Sequence, residues 1–113
     1  MYVVGESDSP GWASAKTDMT ILKLDPSTGS AVWSKYCGGT GEDMALKVIG
    51  KSDGYLYTLG EGYSTEWTSG TIDIWLFRFK EDATLDYFYS FGGVNPDFGE
   101  DMVIYGSNVY IIG

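Results

Sequence analysis

The chain has 113 residues and a mass of 12.4 kDa, the size of one small domain, and its 43% of hydrophobic residues suffices for a packed core rather than a disordered chain. Sixteen acidic and seven basic residues give a formal net charge of −9, so we expect neither nucleic acid nor an anionic membrane surface as a partner. The lack of histidine and the single cysteine exclude Ser-His and Cys-His catalytic pairs, histidine zinc sites, Cys-Cys metal motifs and an internal disulfide.

The first half of the chain reads as four short strands separated by turn sequences. The segments are rich in β-branched and aromatic residues. They cover Tyr2–Gly5, Met19–Leu24, Ala31–Cys37 and Met44–Ile49. After the second of them, Asp25-Pro26-Ser27-Thr28-Gly29 predicts a tight turn, because proline presets φ, aspartate bonds back to the backbone and glycine accepts a positive φ. Gly38-Gly39 ends the third strand.

The second half repeats the first at a nearly constant period. The later predicted strands are Tyr57–Gly60, Ile72–Phe79, Leu85–Phe91, Met102–Tyr105 and Val109–Gly113. Tyr2-Val3-Val4-Gly5 recurs as Tyr57-Thr58-Leu59-Gly60 and again as Tyr110-Ile111-Ile112-Gly113, so the final glycines of these segments mark the period. The glycine pair recurs at Gly92-Gly93. A fixed period with landmarks in one order is typical of repeat architectures.

The repeat predicts the organisation of the chain. Residues 1–54 form one blade repeat, residues 55–108 a second, and residues 109–113 the first strand of a third. We expect an all-β fold with two four-stranded antiparallel blades of a β-propeller plus that extra strand, which together make an incomplete ring. Within this alignment Glu42-Asp43-Met44 matches Glu100-Asp101-Met102, so the loop after the second glycine pair is predicted to be four residues longer.

These residues resemble the repeat family of seven-bladed β-propellers. The first unit carries the resemblance most clearly, in Tyr2-Val3-Val4-Gly5, in Lys23-Leu24-Asp25 with Gly29, and in Tyr36-Cys37-Gly38-Gly39. The second unit keeps Gly60, Asp73, Phe91-Gly92-Gly93 and Asp101 but loses the Lys-Leu-Asp turn. A weaker similarity links residues 24–33 to quinoprotein-like propeller blades. The family resemblance implies extracellular or cell-surface scaffolding and binding, with no fixed catalytic residues.

Several polar and aromatic residues are candidates for a site. The loop with Asn95, Asp97, Glu100 and Asp101 is the best place for a Ca²⁺ ion, which needs six to eight oxygen ligands. The alternative is that repeated aspartates accept backbone N–H groups and fix their turns. Cys37 matches Phe91 in the sister unit and is therefore predicted to be a buried apolar residue.

Three aromatic residues are the sharpest candidates for partner binding. Trp12, Tyr63 and Trp67 occupy the long loops after the first strand of each unit, where an exposed aromatic ring holds a sugar or a partner's side chain. Because Trp12 and Trp67 are one repeat period apart, packing between neighbouring blades explains them equally well.

The sequence favours a non-enzymatic module for protein or glycan binding or scaffolding. The alternative is a fragment of a propeller hydrolase or quinoprotein-like enzyme whose catalytic residues lie outside this chain. Two blades expose apolar faces, so we expect partners in the form of further blades of a parent chain or of self-association. No apolar run reaches the roughly 20 residues that cross a bilayer, and no signal peptide is visible.

Overall fold

The computed structural model describes residues 1–11, 13 and 16–113. These residues form nine β-strands and no helix, and hence no helix long and apolar enough to cross a membrane. The strands are β1 (Tyr2–Ser7), β2 (Asp18–Leu24), β3 (Ala31–Cys37), β4 (Asp43–Gly50), β5 (Tyr55–Gly62), β6 (Asp73–Lys80), β7 (Leu85–Phe91), β8 (Asp101–Tyr105) and β9 (Asn108–Ile112). The predicted all-β fold is confirmed.

The strands form three antiparallel sheets, which we name by their position in the chain. The N-terminal sheet has the order β1-β2-β3, the central sheet β4-β5-β6-β7, and the C-terminal hairpin β8-β9. The sheets are consistent with incomplete propeller blades, but each is offset by one strand from the sequence repeat. The predicted division between residues 54 and 55 falls inside the central sheet, in the hairpin that joins β4 to β5.

Turn geometry explains this offset. At the β4–β5 turn, the Lys51 N–H donates to the Tyr55 carbonyl at 2.9 Å, and Gly54 takes a φ of +85°. The chain therefore reverses tightly, and β5 returns alongside β4. The segment after Gly38-Gly39 instead leads from β3 to the neighbouring sheet. As a result β4, predicted as the fourth strand of the first blade, is an edge strand of the central sheet.

Both faces of the central sheet pack against a neighbouring sheet, most completely at β5 and β6. Trp75, Phe77 and Phe79 on β6 pack in the cluster shared with the N-terminal sheet. Ile74 and Leu76, on the other face of the same strand, pack in the cluster shared with the C-terminal hairpin. Alternate residues of a strand point to opposite faces, so a strand covered on both sides is apolar at nearly every position.

The N-terminal sheet joins the central sheet through polar as well as apolar contacts. Lys23 donates from its Nζ to a carboxylate oxygen of Glu81 at 2.7 Å, and Trp33 donates from its indole nitrogen to the Glu81 carbonyl at 3.1 Å. Glu81 lies directly after β6. The turn after β6 therefore contacts the neighbouring sheet as well as linking β6 to β7.

The two outer faces of this stack carry exposed apolar side chains. Val3 and Val32 are 41% and 58% exposed on the N-terminal sheet, and Val103, Tyr110 and Ile112 are exposed on the hairpin. On β1, Tyr2 and Val4 pack toward the central sheet, so Val3 points to the opposite face. Each end of the stack thus has the apolar character of a sheet that normally packs on another.

Candidate functional site

Three aspartates, each at the first residue of a strand, lie against glycines at the ends of neighbouring strands. Each is almost completely buried and lies against a glycine where an added Cβ atom would overlap the carboxylate. The pairs are Asp18 with Gly38, Asp43 with Gly62, and Asp73 with Gly92. Since only glycine leaves room for the carboxylate, these contacts explain the first glycine of each Gly-Gly pair, Gly38 and Gly92. This supports the interpretation that repeated aspartates fix turns.

Asp43 and Ser64 form the most complete of these arrangements, which we call the Asp43–Ser64 latch. The Asp43 Oδ2 atom accepts the Gly39 N–H at 2.9 Å and the Ser64 hydroxyl, while Oδ1 accepts the Ser64 N–H at 3.2 Å. The Ser64 Oγ atom also accepts the N–H groups of Gly39 and Gly41 at 3.0 and 3.1 Å. The latch ties the loop before β4 to the loop after β5.

Asp97 repeats two of the contacts that Asp43 makes, although not those with Ser64. The Asp43 N–H donates to the Thr17 carbonyl at 2.8 Å, and the Asp97 N–H donates to the Ile72 carbonyl at 2.9 Å. The Asp97 Oδ2 atom accepts the Gly93 N–H at 2.8 Å, as Asp43 accepts the N–H of the equivalent glycine. The structural repeat of Asp43 is therefore Asp97, one period further along the chain.

The alignment of Asp43 with Asp101 is wrong. Asp101 pairs with Ile112 across the hairpin, as Lys47 pairs with Leu59 across the central sheet. Asp101 is thus the structural equivalent of Lys47, and the two side chains form an ion pair between adjacent sheets. The hydrogen bond from Lys47 lowers the pKa of the Asp101 carboxyl. The recurrence of Glu-Asp-Met therefore does not mark equivalent positions. The segment between β7 and β8, residues 92–100, is nonetheless four residues longer than the segment between β3 and β4, residues 38–42, as predicted.

The predicted cation ligands do not meet at one point. Asp97 binds the Gly93 N–H and Asp101 binds Lys47, whereas Asn95 and Glu100 are exposed. Over residues 1–11, 13 and 16–113, no three acidic or cysteine side chains converge as metal ligands do. Ca²⁺ binding by this loop stays an untested prediction.

Trp67 is a packing residue that also borders two clefts. Its ring contacts Trp75 edge-on, with centroids 5.2 Å apart, and Phe88 at 5.5 Å. Of the other predicted aromatic ligands, Tyr63 is 50% exposed, and Trp12 lies outside the described residues. Trp67 thus packs on strands of its own sheet and against the cluster shared with the N-terminal sheet, and binding of a ligand by its ring stays a prediction.

The first cleft is apolar and the second is polar. The apolar cleft has a volume of about 350 Å³ and is bordered by Tyr36, Cys37, Gly38, Trp67, Phe77, Leu85 and Phe88. The polar cleft has a volume of about 340 Å³ and is bordered by Glu66, Trp67, Thr68, Ser69, Asp73, Phe88, Ser90 and Gly92. Trp67 and Phe88 border both clefts, so one aromatic wall separates an apolar space from a polar one.

Asp73 places a buried carboxyl group on the wall of the polar cleft. Its Oδ2 atom accepts the Ser69 N–H at 2.9 Å and the hydroxyls of Ser69 and Ser90, each at 3.1 Å. Its Oδ1 atom is buried with no hydrogen-bond partner among the described residues.

No family model matches the chain, and no curated protein matches it. Glu66, Ser69 and Ser90 were not among the predicted site residues, because single acidic residues and serines on loops and strand ends carry no distinctive spacing.

Cys37 lies on the wall of the apolar cleft. Burial raises the pKa of its thiol to about 11, with the nearby Asp18 carboxylate adding to the rise. A thiol with such a pKa is a poor nucleophile at neutral pH, since the thiolate is the reactive form. This agrees with the prediction that Cys37 is a structural residue, although Cys37 is half-buried rather than buried and its match Phe91 is exposed.

Substitution of Cys37 by alanine is expected to change the pH dependence of stability. The unfolded thiol ionises near its ordinary value of 9.0 and the folded thiol near 11, so the folded state holds its proton more tightly. The wild-type free energy of unfolding should therefore fall between pH 9 and 11 more steeply than that of Cys37→Ala, and the two curves should run parallel below pH 9. Urea titrations across this range measure the difference; parallel curves throughout would contradict burial of the thiol.

Proposed function

We propose that the chain is part of a β-propeller and serves as a non-enzymatic module for protein or glycan binding or scaffolding. The observation that carries the propeller assignment is the repeated junction between sheets, in which Asp43 and Asp97 make matching contacts one period apart. Face-to-face stacking of antiparallel sheets with matching junctions supports a radial repeat. The same junctions hold the loops that border the two clefts.

The clefts beside Trp67 support a binding role. A sugar ring has apolar C–H faces and polar hydroxyl edges, and aromatic walls next to carboxylate and hydroxyl groups match both. Trp67 and Phe88 supply the aromatic wall, and Glu66, Ser69 and Ser90 line the polar side. The Glu66 carboxylate is exposed and bonded to the Thr40 hydroxyl at 3.1 Å, so it is available at the rim of the cleft.

A glycan panel tests this proposal. Neutral and amino-sugar oligosaccharides are titrated into the chain, with tryptophan fluorescence as the signal because Trp67 borders the cleft. Ser90→Ala and Glu66→Ala are expected to weaken binding about tenfold, the loss of one or two hydrogen bonds. Glu100→Ala, an exposed acid outside both clefts, serves as the matched control. Equal weakening by the control would contradict this site, and turnover of a glycan by the chain alone would contradict a non-enzymatic role.

A further inference from the structure

Gly5, Gly60 and Gly113 occupy equivalent positions in the sequence repeat but have different surroundings. A Cβ atom added to Gly60 would lie 2.7 Å from the Met44 carbonyl oxygen, and one added to Gly113 would overlap the Phe98 carbonyl oxygen. Met44 and Phe98 directly follow Asp43 and Asp97, so one repeated contact requires both glycines. Gly5 is the third member of the set, yet a Cβ there would have no atom of the described residues within 4 Å. The glycine is present at β1, but no carbonyl of the described residues lies against it.

The serine and the aspartate of the Asp43–Ser64 latch each have a repeat equivalent elsewhere in the chain. Ser9 precedes Ser64 by one repeat period, so it is the sequence equivalent of the serine that binds Asp43. Ser9 is exposed, whereas Ser64 is completely buried. At the other end of the chain, Asp97 is the equivalent of Asp43 and is only half-buried. The chain therefore carries a second serine and a second aspartate of the latch type, at opposite ends of the stack.

The apolar residues of β1 and β9 are interchangeable. Val109 and Ile111 of β9 pack on the central sheet, and their equivalents in β1 are Met1 and Val3, which are 59% and 41% exposed. Both strands thus present two apolar side chains followed by a glycine on one face. Replacing β9 by a second copy's β1 keeps the apolar contacts and the backbone ladder of β8.

A groove beside β9 has room for the strand that would follow β1. Its volume is about 400 Å³, and it is bordered by Ile74, Leu76, Phe91, Val109, Ile111 and Gly113. Its floor is the face of β6 and β7 that the two-stranded hairpin leaves uncovered. In the N-terminal sheet β1 is followed by β2, whose Leu22 lies on the same face as Val3. An arriving N-terminal sheet would place β2 over this groove.

We infer that two copies of the chain join head to tail by strand exchange. In the joined form β8 of one copy pairs with β1 of the next copy instead of with its own β9. Gly5 then faces the Phe98 carbonyl, and Ser9 donates to Asp97, as Ser64 does to Asp43. The inference rests on the proposed propeller arrangement, because it extends the contact between the N-terminal and central sheets to a second molecule.

The Gly5→Ala substitution is expected to weaken association between copies without lowering the stability of the single chain. The new methyl group meets no described atom within 4 Å, and alanine is favoured over glycine within a strand, so the thermal midpoint should be unchanged or slightly raised. In the joined form the methyl group overlaps the Phe98 carbonyl, and association should weaken about tenfold or more. Glu6→Ala, at the next residue with its side chain on the other face of β1, is the matched control and should associate like the wild type.

Sedimentation velocity and light scattering from micromolar to millimolar concentration measure the association. The wild-type chain should form oligomers as concentration rises, more readily at high ionic strength because each copy carries a net charge of −9. A wild type that stays monomeric over this range overturns the inference, as does a Gly5→Ala variant that associates like the wild type. A monomer that still binds glycans would leave the proposed function intact, so the two failures are distinguishable.

A cross-linked hairpin tests the exchange itself. Val103 and Tyr110 lie opposite each other in β8 and β9, so Val103→Cys with Tyr110→Cys places two thiols across the pair that must separate. The oxidised variant should be monomeric at concentrations where the wild type associates, and reduction should restore association. An oxidised variant that associates as strongly as its reduced form would overturn strand exchange.

Discussion

Replacement of Asp43 by alanine is expected to lower the free energy of unfolding by about 3 kcal/mol or more. The carboxylate is completely buried and accepts hydrogen bonds from the Gly39 N–H and from both donors of Ser64. Without it, both donors of Ser64 stay buried and lose their acceptor, and the Gly39 N–H keeps only its bond to the Ser64 Oγ atom. Leaving buried donors unpaired costs more than the hydrogen bonds contributed. Urea unfolding followed by fluorescence measures the change.

Asp97→Ala is the matched control for this prediction. Asp97 repeats the backbone contact of Asp43 and accepts the Gly93 N–H, but it is half-buried, so water replaces the lost acceptor. We expect a loss of less than about 1 kcal/mol. Ser64→Ala should fall between the two, because Asp43 keeps its bonds to the Gly39 and Ser64 N–H groups. Equal losses for Asp43→Ala and Asp97→Ala would show that the latch adds nothing to the bond between the aspartate and the glycine pair.

Strand positions followed closely from the sequence, whereas strand pairing did not. The predicted limits of β3 and β7, Ala31–Cys37 and Leu85–Phe91, are those of the structure, because Gly-Gly and a turn bound each segment. β4 belongs to the central sheet because the chain reverses tightly at Lys51–Gly54 and pairs β4 with β5, whereas the segment after Gly38-Gly39 crosses from one sheet to the next. Both segments read as turns in the sequence, and only the hydrogen bonds of the ladder distinguish a hairpin from a crossing between sheets.

The candidate site was also predictable from the sequence only in part. The aspartates at loop–strand junctions were predictable as turn-fixing groups, because their side chains bind nearby backbone N–H groups. Asp101 was matched to Asp43 through identical neighbours, but equivalence is decided by the pairing partner across the ladder, which a local match does not contain. The packing of Trp67 on Trp75 and Phe88 likewise joins a loop to two strands, and a local sequence pattern does not contain such a contact.

Replacement of Trp75 by alanine is expected to cost about 3–5 kcal/mol, the range for removal of a large buried aromatic side chain. Trp75 is completely buried in the cluster between the N-terminal and central sheets. Its ring contacts those of Trp67, Phe77 and Phe88 at centroid distances of 5.2 to 6.2 Å. Removing it leaves a cavity that three aromatic neighbours border, and rigid rings fill such a space poorly. Thermal and urea unfolding measure the loss.

Two further variants separate the packing of Trp75 from its polar group. Its indole N–H is buried with no hydrogen-bond partner among the described residues, so Trp75→Phe removes an unsatisfied donor while keeping most of the ring, and should cost only about 1–2 kcal/mol. Trp33 is half-buried and its indole donates to the Glu81 carbonyl, so Trp33→Phe gives up a hydrogen bond that Trp75→Phe does not. If Trp75→Phe were as damaging as Trp75→Ala, the indole N–H would have to bind an acceptor, and stability would depend on that bond rather than on the contact between the two sheets.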